Sequence, residues 1–250
     1  MKRIPIATYR LQMHAGFGFE SARAIVSYLQ RLGISDVYAS PYLAAEAESL
    51  HGYNIVDHGR LNPELGTEEQ YVAWTDTLRA AGMGHILDLV PNHMGIAKGQ
   101  NLWWNDVLEN GPSSPYADFF DIDWAPPKES LRARVLLPIL ADQYGEILER
   151  GELQLQRDGG AFFIRYWDHR LPIAPRSLIT FFEHVLARVS ADVLAEDKDE
   201  LASILTSLRH LPVRTDTDPE QRAERAREKE VIKRRTAQLC SNSELVREAF

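Results

Sequence analysis

The chain has 250 residues, and its 36 acidic side chains outnumber the 28 basic ones, giving a formal net charge of −8 with neutral histidines. That sign argues against a nucleic-acid binder, because neutralising phosphates needs a basic face. Hydrophobic residues make up 44% of the chain and charged residues 26%, values of a folded globular protein that exclude disorder and collagen-like repeats.

The opening Met1-Lys2-Arg3-Ile4-Pro5-Ile6 carries charge with no apolar core behind it, so no secretory signal is expected there. Residues 4–11 read as a strand. From Phe19 the apolar positions Ala22, Ile25, Tyr28, Leu29 and Leu32 follow a helical period, and Gly33 supplies the left-handed residue that closes such a helix. Residues 36–39 make a short second strand, followed by a long loop. Thr67-Glu68-Glu69-Gln70 is a capping box, opening a helix through Tyr71, Trp74, Leu78 and Ala81 that Gly82 ends. Residues 85–90, nearly all apolar, read as a third strand of the kind buried on both faces of a parallel sheet. Three successive β/α units mean either a doubly wound sheet or the beginning of a barrel.

Past Gly95 this rhythm breaks. Residues 99–127 are rich in Trp, Asn, Asp, Gly and Pro, residues 145–175 contain short strand-like runs, and 95–180 as a whole reads as an irregular insertion after the third strand, where long loops carry function. A helix resumes over 178–194, with Phe181, Phe182, Val185, Leu186, Val189 and Val193 at helical spacing. Residues 192–235 hold 11 acidic and 10 basic side chains and read as solvated helix, supported by Glu230 with Arg234 and Glu224 with Arg227. Three segments result: 1–94, 95–180 and a helical, charge-rich 181–250. The single cysteine, Cys240, has no internal partner, so a reducing cytoplasm is the expected compartment. No apolar stretch nears the roughly 20 residues that cross a bilayer.

Three constellations have the residue types of a site. Asp88-Leu89-Val90-Pro91-Asn92-His93 puts a carboxylate at the C-terminal end of an apolar strand, the end at which barrels and doubly wound sheets build their sites. The same pattern also fits a carboxylate that merely caps loop amides. In Ser49-Leu50-His51-Gly52-Tyr53-Asn54, Gly52 lets the backbone bend while Tyr53 presents a flat ring on which a sugar can stack. The nearby Asp57 and His58 lack the spacing of a metal site. Asp118, Asp121 and Asp123 alternate like part of a calcium loop but lack its glycine and closing glutamate, and read as solvated. Trp103 and Trp104 fit either sugar stacking or the core of the insertion.

Seven pieces in order together resemble the α-amylase family of glycoside hydrolases. They are Thr8-Tyr9-Arg10-Leu11-Gln12, Tyr38-Ala39-Ser40-Pro41-Tyr42-Leu43, His51-Gly52-Tyr53-Asn54, Asn62-Pro63-Glu64-Leu65-Gly66, Asp88 to His93, Phe120-Asp121-Ile122-Asp123-Trp124 and Tyr166-Trp167-Asp168-His169-Arg170-Leu171-Pro172. The first two are similar to the branch that forms trehalose ends on maltooligosaccharides. The resemblance implies an α/β fold, the N-terminal part of a (β/α)8 TIM barrel with an irregular domain inserted after the third strand. It implies that Tyr53 and His93 hold a glucosyl unit, that Asp88 and Asn92 organise the loop beneath, and that Gln12, His51 and Asn54 lie on the rim or floor of that pocket. The family often has Asp where this chain has Asn54.

The implied reaction is an intramolecular transfer of the reducing-end glucose of a maltooligosaccharide to an α,α-1,1 linkage, with no organic cofactor, metal, nucleic acid or membrane involved. Retaining chemistry needs a nucleophile and an acid/base about 5 to 5.5 Å apart. Neither is identified here, and both are expected beyond Phe250. Arg214-Thr215-Asp216 resembles the family's Gly-x-Arg-x-Asp nucleophile motif but has Pro212 in place of the glycine and no strand leading into it. An α-amylase, a 4-α-glucanotransferase and a non-catalytic glucan-binding fragment are the alternatives. An isolated partial barrel is expected to expose strand edges and to be poorly soluble.

Overall fold

Alternating strand and helix segments do assemble a parallel sheet. The computed structural model describes residues 4–250, so the first three residues of the opening segment lie outside the described residues. In the first compact unit, which ends at Leu102, β1 (Thr8–Leu11) leads to α1 (Phe19–Ala24), α2 (Val26–Arg31) and β2 (Asp36–Ala39). An antiparallel pair follows, β3 (Leu43–Ala45) and β4 (Ile55–Leu61), then α3 (Glu68–Ala80) and β5 (Gly84–Leu87). The sheet order is β1-β2-β5, parallel throughout, with Arg10 opposite Tyr38 and Tyr38 opposite Ile86.

Several sequence expectations shift, for local reasons. The first strand is half the expected 4–11, because Pro5 has no N–H and the amides of Ile6 and Ala7 donate to Ser35 Oγ at 2.9 and 3.0 Å instead of to a ladder. The helix after Phe19 is interrupted at Ile25, whose ψ of −1° is far from the regular helical value of about −42°. Its buried stripe is Phe19, Ala22, Val26 and Leu29, while Tyr28 and Leu32 are exposed. The third strand ends at Leu87 and is not buried on both faces: Leu87 and Leu89 are 37% and 49% exposed. Among the described residues β5 has a strand neighbour on one edge only. The long loop after β2 contains the unexpected β3–β4 pair.

The capping box forms as read, Gln70 N donating to Thr67 Oγ1 and Thr67 N to the Gln70 amide oxygen. It starts a helix that drives Trp74 and Leu78 into a core with Phe19, Leu29, Val37 and Tyr42. Phe19 and Trp74 stack at 6.0 Å, and the Trp74 ring meets His85 edge-on at 4.7 Å. Burial there pushes the His85 pKa down and keeps the ring neutral.

The second unit spans Trp103–Phe250. It contains all but the first residue of α4 (Leu102–Asn110), α5 (Tyr144–Glu149), the antiparallel sheet β6 (Gln154–Asp158), β7 (Ala161–Tyr166) and β8 (His169–Pro172), and then α6 (Ile179–Arg188), α7 (Ala195–His210), α8 (Pro219–Asn242) and α9 (Glu244–Ala249). This division does not coincide with the expected boundaries at 94/95 and 180/181. Residues 95–102 stay with the first unit, tied by Gly95 N to Ile55 O at 2.8 Å and Asn101 Nδ2 to Gly95 O at 2.9 Å. Phe162 of β7 shares one apolar core with Phe182, Leu205, Ile232 and Val246 of the helices. The helix expected over 178–194 stops at Arg188, because Val189 turns to ψ 138°.

The charge-rich segment is not a solvated face throughout. In α8, Arg225 and Lys229 are buried beside Ile232, Thr236 and Leu239. Lys229 Nζ reaches Asp106 at 2.7 Å and Glu109 at 3.4 Å, and Lys233 reaches Glu109 at 2.7 Å. The pairs expected from spacing are replaced: Arg227 pairs with Glu228, and Glu230 lies 3.4 Å from Lys233. Trp103 stacks on Tyr116 at 5.2 Å and Trp104 packs against Phe120, so both rings face aromatic neighbours of their own unit. No helix among the described residues is long and apolar enough to cross a membrane.

Candidate functional site

The pleat of the parallel sheet selects the site residues. Arg10 and Tyr38 are direct partners across β1 and β2, and Tyr38 is opposite Ile86, two residues before Asp88. Side chains two apart along a strand share a face, so Arg10, Gln12, Tyr38 and Asp88 gather on one side at the C-terminal ends of the strands. The loop between β3 and β4 folds Tyr53 onto the same group.

Asp88 Oδ2 accepts from Tyr38 Oη at 2.7 Å and from Tyr53 Oη at 2.5 Å. Arg10 Nη2 donates to Tyr53 Oη at 3.1 Å and Nη1 to Gln12 Oε1 at 2.7 Å, while Gln12 Nε2 donates to Leu50 O at 2.9 Å. The Tyr53 hydroxyl, foremost, and that of Tyr38 hold the Asp88 carboxyl below its ordinary pKa, with Arg10 acting in the same direction. The bond to that carboxylate in turn raises the Tyr38 phenol. Asp88 is therefore a fixed anion at the end of a strand, and the bonds it receives from side chains fall on one of its two oxygens.

Tyr53 is placed by its neighbours. Gly52 has φ +79°, and a Cβ there would come within 2.1 Å of Pro41 O, so the turn before Tyr53 accepts only glycine. Tyr53 N donates to His51 Nδ1 at 3.0 Å, and the two rings lie 5.8 Å apart. His93 Nε2 is 3.0 Å from Tyr53 O. A carbonyl can only accept, so His93 carries a proton on Nε2.

The structure thus brings Tyr53, His93, Asp88, Gln12 and His51 into one bonded group. Asn54 is drawn elsewhere: its Oδ1 accepts from Ser49 Oγ at 2.6 Å and its Nδ2 donates to Glu46 Oε2 at 2.8 Å. Asn92 is exposed and takes part in no side-chain hydrogen bond among the described residues. Arg10, Tyr38 and Glu46 received no role from the sequence. Glu46 also accepts from Ala97 N at 3.1 Å, and Gly95 fits beneath it because a Cβ would come within 2.6 Å of its carboxylate. The missed signal was the period of two along the strands, which puts Arg10 and Tyr38 on the face of Asp88. Asp57, His58 and the aspartates at 118, 121 and 123 form no metal cage: no three His, Cys, Asp or Glu side chains converge suitably among the described residues.

With this geometry established, comparison with known proteins is specific. A model described as the catalytic domain of alpha amylase matches residues 24–171, more than half of the chain. A Mycobacterium tuberculosis protein described as a maltooligosyl trehalose synthase is 41% identical over 178 residues, covering 69% of this chain and 22% of its own. The solved maltooligosyltrehalose synthase of Arthrobacter ramosus is 42% identical, with a TM-score of 0.59, over 68% of this chain and 21% of its own. A hypothetical maltooligosyl trehalose synthase of Sulfolobus tokodaii aligns at 30% identity and a TM-score of 0.59, over 74% of this chain and 24% of its own. The chain spans about a fifth to a quarter of the length of these relatives. It has an α/β fold of the amylase type, and it belongs to the α-amylase catalytic-domain family.

Proposed function

We propose that the chain is the N-terminal part of a maltooligosyl trehalose synthase. In this reading β1, β2 and β5 are the first three strands of a (β/α)8 barrel, residues 95–180 are inserted after the third, and residues 181–250 lead back towards it. The observation that carries the proposal is the 41% identity over 178 residues to a relative so described. The nucleophile and acid/base are assigned to later strands of the whole enzyme, and the enzyme to the cytoplasm.

The chemistry follows from the parts. The Tyr53 ring offers a flat apolar face to the C–H face of a glucosyl unit, and His93, with its proton on Nε2 turned to Tyr53 O, presents Nδ1 away from that bond. Asp88 is spectator to bond breaking; bonded to Tyr53 Oη, it fixes the ring and supplies negative charge near a centre that becomes cationic in the transition state. A carboxylate nucleophile displaces the glycosidic oxygen, the acid protonates the leaving glucose, and the anomeric hydroxyl of that glucose then attacks the covalent intermediate. Two inversions keep the α configuration, and exclusion of water favours transfer over hydrolysis.

The test uses the whole enzyme and maltopentaose. Reducing power is expected to fall with no shortening of the chain. Rising reducing power with shorter products would indicate an amylase, redistributed chain lengths a glucanotransferase, and either would overturn the proposal. His93→Ala is expected to lower turnover by more than tenfold while leaving the unfolding midpoint within a few degrees, since the lost interaction strengthens in the transition state.

A further inference from the structure

The segment Arg214-Thr215-Asp216, which resembles a nucleophile motif, lies on no strand. It sits between α7 and α8, and Arg214 lines a cleft of about 230 Å3 in the second unit together with Arg134, Val107, Trp124 and Val135. Arg214 Nη2 donates to Ala133 O at 2.6 Å, which fixes the guanidinium at the wall. Asp216 does not neutralise it: the Asp216 carboxylate accepts from Asp218 N at 3.0 Å, and no salt bridge to Arg214 or Arg134 is formed among the described residues.

A third guanidinium lies close by. Arg225 is 2% exposed, gives Nε to Asn110 Oδ1 at 3.2 Å and Nη1 to Pro212 O, and keeps Nη2 buried with no hydrogen-bond partner. Asp106 and Glu109, which act on Arg225 electrostatically, also pair with Lys229 and Lys233. Burial, and then repulsion from Arg134, pushes the Arg214 pKa down. Burial is also the main cause at Arg225, opposed next by Glu109, while Arg214 and Arg176 push the same way as burial and Asp106 pushes back. No acidic side chain lines this cleft, so a chain of net charge −8 presents Arg134 and Arg214 there with no carboxylate partner among the described residues, an arrangement that an entering anion would satisfy.

We propose that this cleft binds a phosphate-class oxyanion between Arg134 and Arg214. Guanidinium forks match tetrahedral oxyanions with paired, charge-assisted hydrogen bonds, which a lysine cannot do. A water claims about 30 Å3 of liquid, so the cleft takes about seven or eight water-sized groups, more than a bare phosphate fills. The remainder is bounded by Val107, Val135 and the Trp124 ring, walls suited to a small organic group such as the sugar of a sugar phosphate. The site is distinct from the group around Asp88 and does not depend on the transglucosylation reading.

Isothermal titration calorimetry of the chain with inorganic phosphate, and separately with glucose 6-phosphate, tests it against sodium chloride at matched ionic strength. One saturable site is expected for phosphate and none for chloride. Its dissociation constant should rise at least tenfold in Arg134→Gln and in Arg214→Gln. Tighter binding of glucose 6-phosphate than of phosphate would assign the organic group to the Trp124 side, and equal binding would assign the phosphoryl group alone. Arg134 is exposed and its side chain makes no hydrogen bond among the described residues. Arg134→Gln therefore decides the matter even if Arg214→Gln fails to fold. Absence of saturable heat with both probes, or unchanged affinity in Arg134→Gln, overturns the proposal.

Discussion

Asp88 is a carboxylate whose surroundings all favour its ionised form, and this sets how the first unit responds to acid. Its two phenol donors and Arg10 depress the folded pKa below the unfolded value. A depressed carboxyl pKa contributes stability that is complete above the unfolded pKa, about 3.9 for an aspartate, and is lost as pH falls through the folded pKa. Asp88→Asn is therefore expected to be less stable than the parent at neutral pH, with the gap closing as pH drops below about 4. Urea unfolding followed at several pH values measures this, and a gap independent of pH would show that the phenols do not hold the charge. At this scale the sequence was partly legible. Asp88 and Tyr53 stand out in the sequence because a carboxylate ending an apolar strand and an aromatic after a glycine are locally unusual choices, whereas the role of His93 is implied by the resemblance alone. Arg10 and Tyr38 do not stand out, because a polar residue on a short strand is ordinary until the register with its neighbours is known. The place of Asn54 on the rim or floor of the pocket is implied by the resemblance alone, and in the structure its amide bonds to Ser49 and Glu46.

Elements with strong local codes formed where the sequence put them, and elements held by tertiary contacts did not. The second strand matches to the residue, and α3 begins at its capping box. The β3–β4 pair was missed because its register shifts twice, which erases the alternation a strand shows. α8 misled for the opposite reason. Its charges carry no helical stripe that would announce a buried face, yet Arg222, Arg225, Lys229 and Lys233 line one side of it and bond to residues 106–114. Burial alone would pull the Lys229 pKa down, but Glu109 and Asp106 outweigh it and hold the ammonium charged. Removing the cation should leave Asp106 and Glu109 undercompensated in a half-buried site. Lys229→Met is expected to cost about 3–5 kcal/mol, as for other broken buried pairs. Lys229→Met with Asp106→Asn should recover part of that loss, because the double variant no longer strands a charge. Chemical denaturation of the four proteins of the cycle gives the answer, and a single-variant cost under about 1 kcal/mol would mean that the cluster is solvated after all.

For the protein as a whole, the open edge of the three-stranded sheet is the feature that ties structure to the barrel proposal. β2 is bonded on both sides, whereas β5 pairs with β2 alone among the described residues. Gly84 N donates to Ser35 O and Asp88 N to Ala39 O, both at 2.9 Å. By alternation, the amides of His85 and Leu87 point away from β2 towards the open edge. Leu87 and Leu89 are partly exposed there, an apolar rim that soluble proteins avoid unless something covers it. In a closed barrel the fourth strand supplies that cover and takes the outward amides as donors. Hydrogen exchange separates the two situations without any activity assay. In the isolated chain the Val37 amide, on the central strand, is expected to exchange slowly and the Leu87 amide quickly. In a longer protein that includes the following strands, Leu87 should slow by at least about 100-fold, since its amide then opens only with the sheet. If Leu87 stayed fast while Val37 remained protected, no strand would lie against β5, and residues 8–87 would form a small open sheet in place of the first three strands of a barrel.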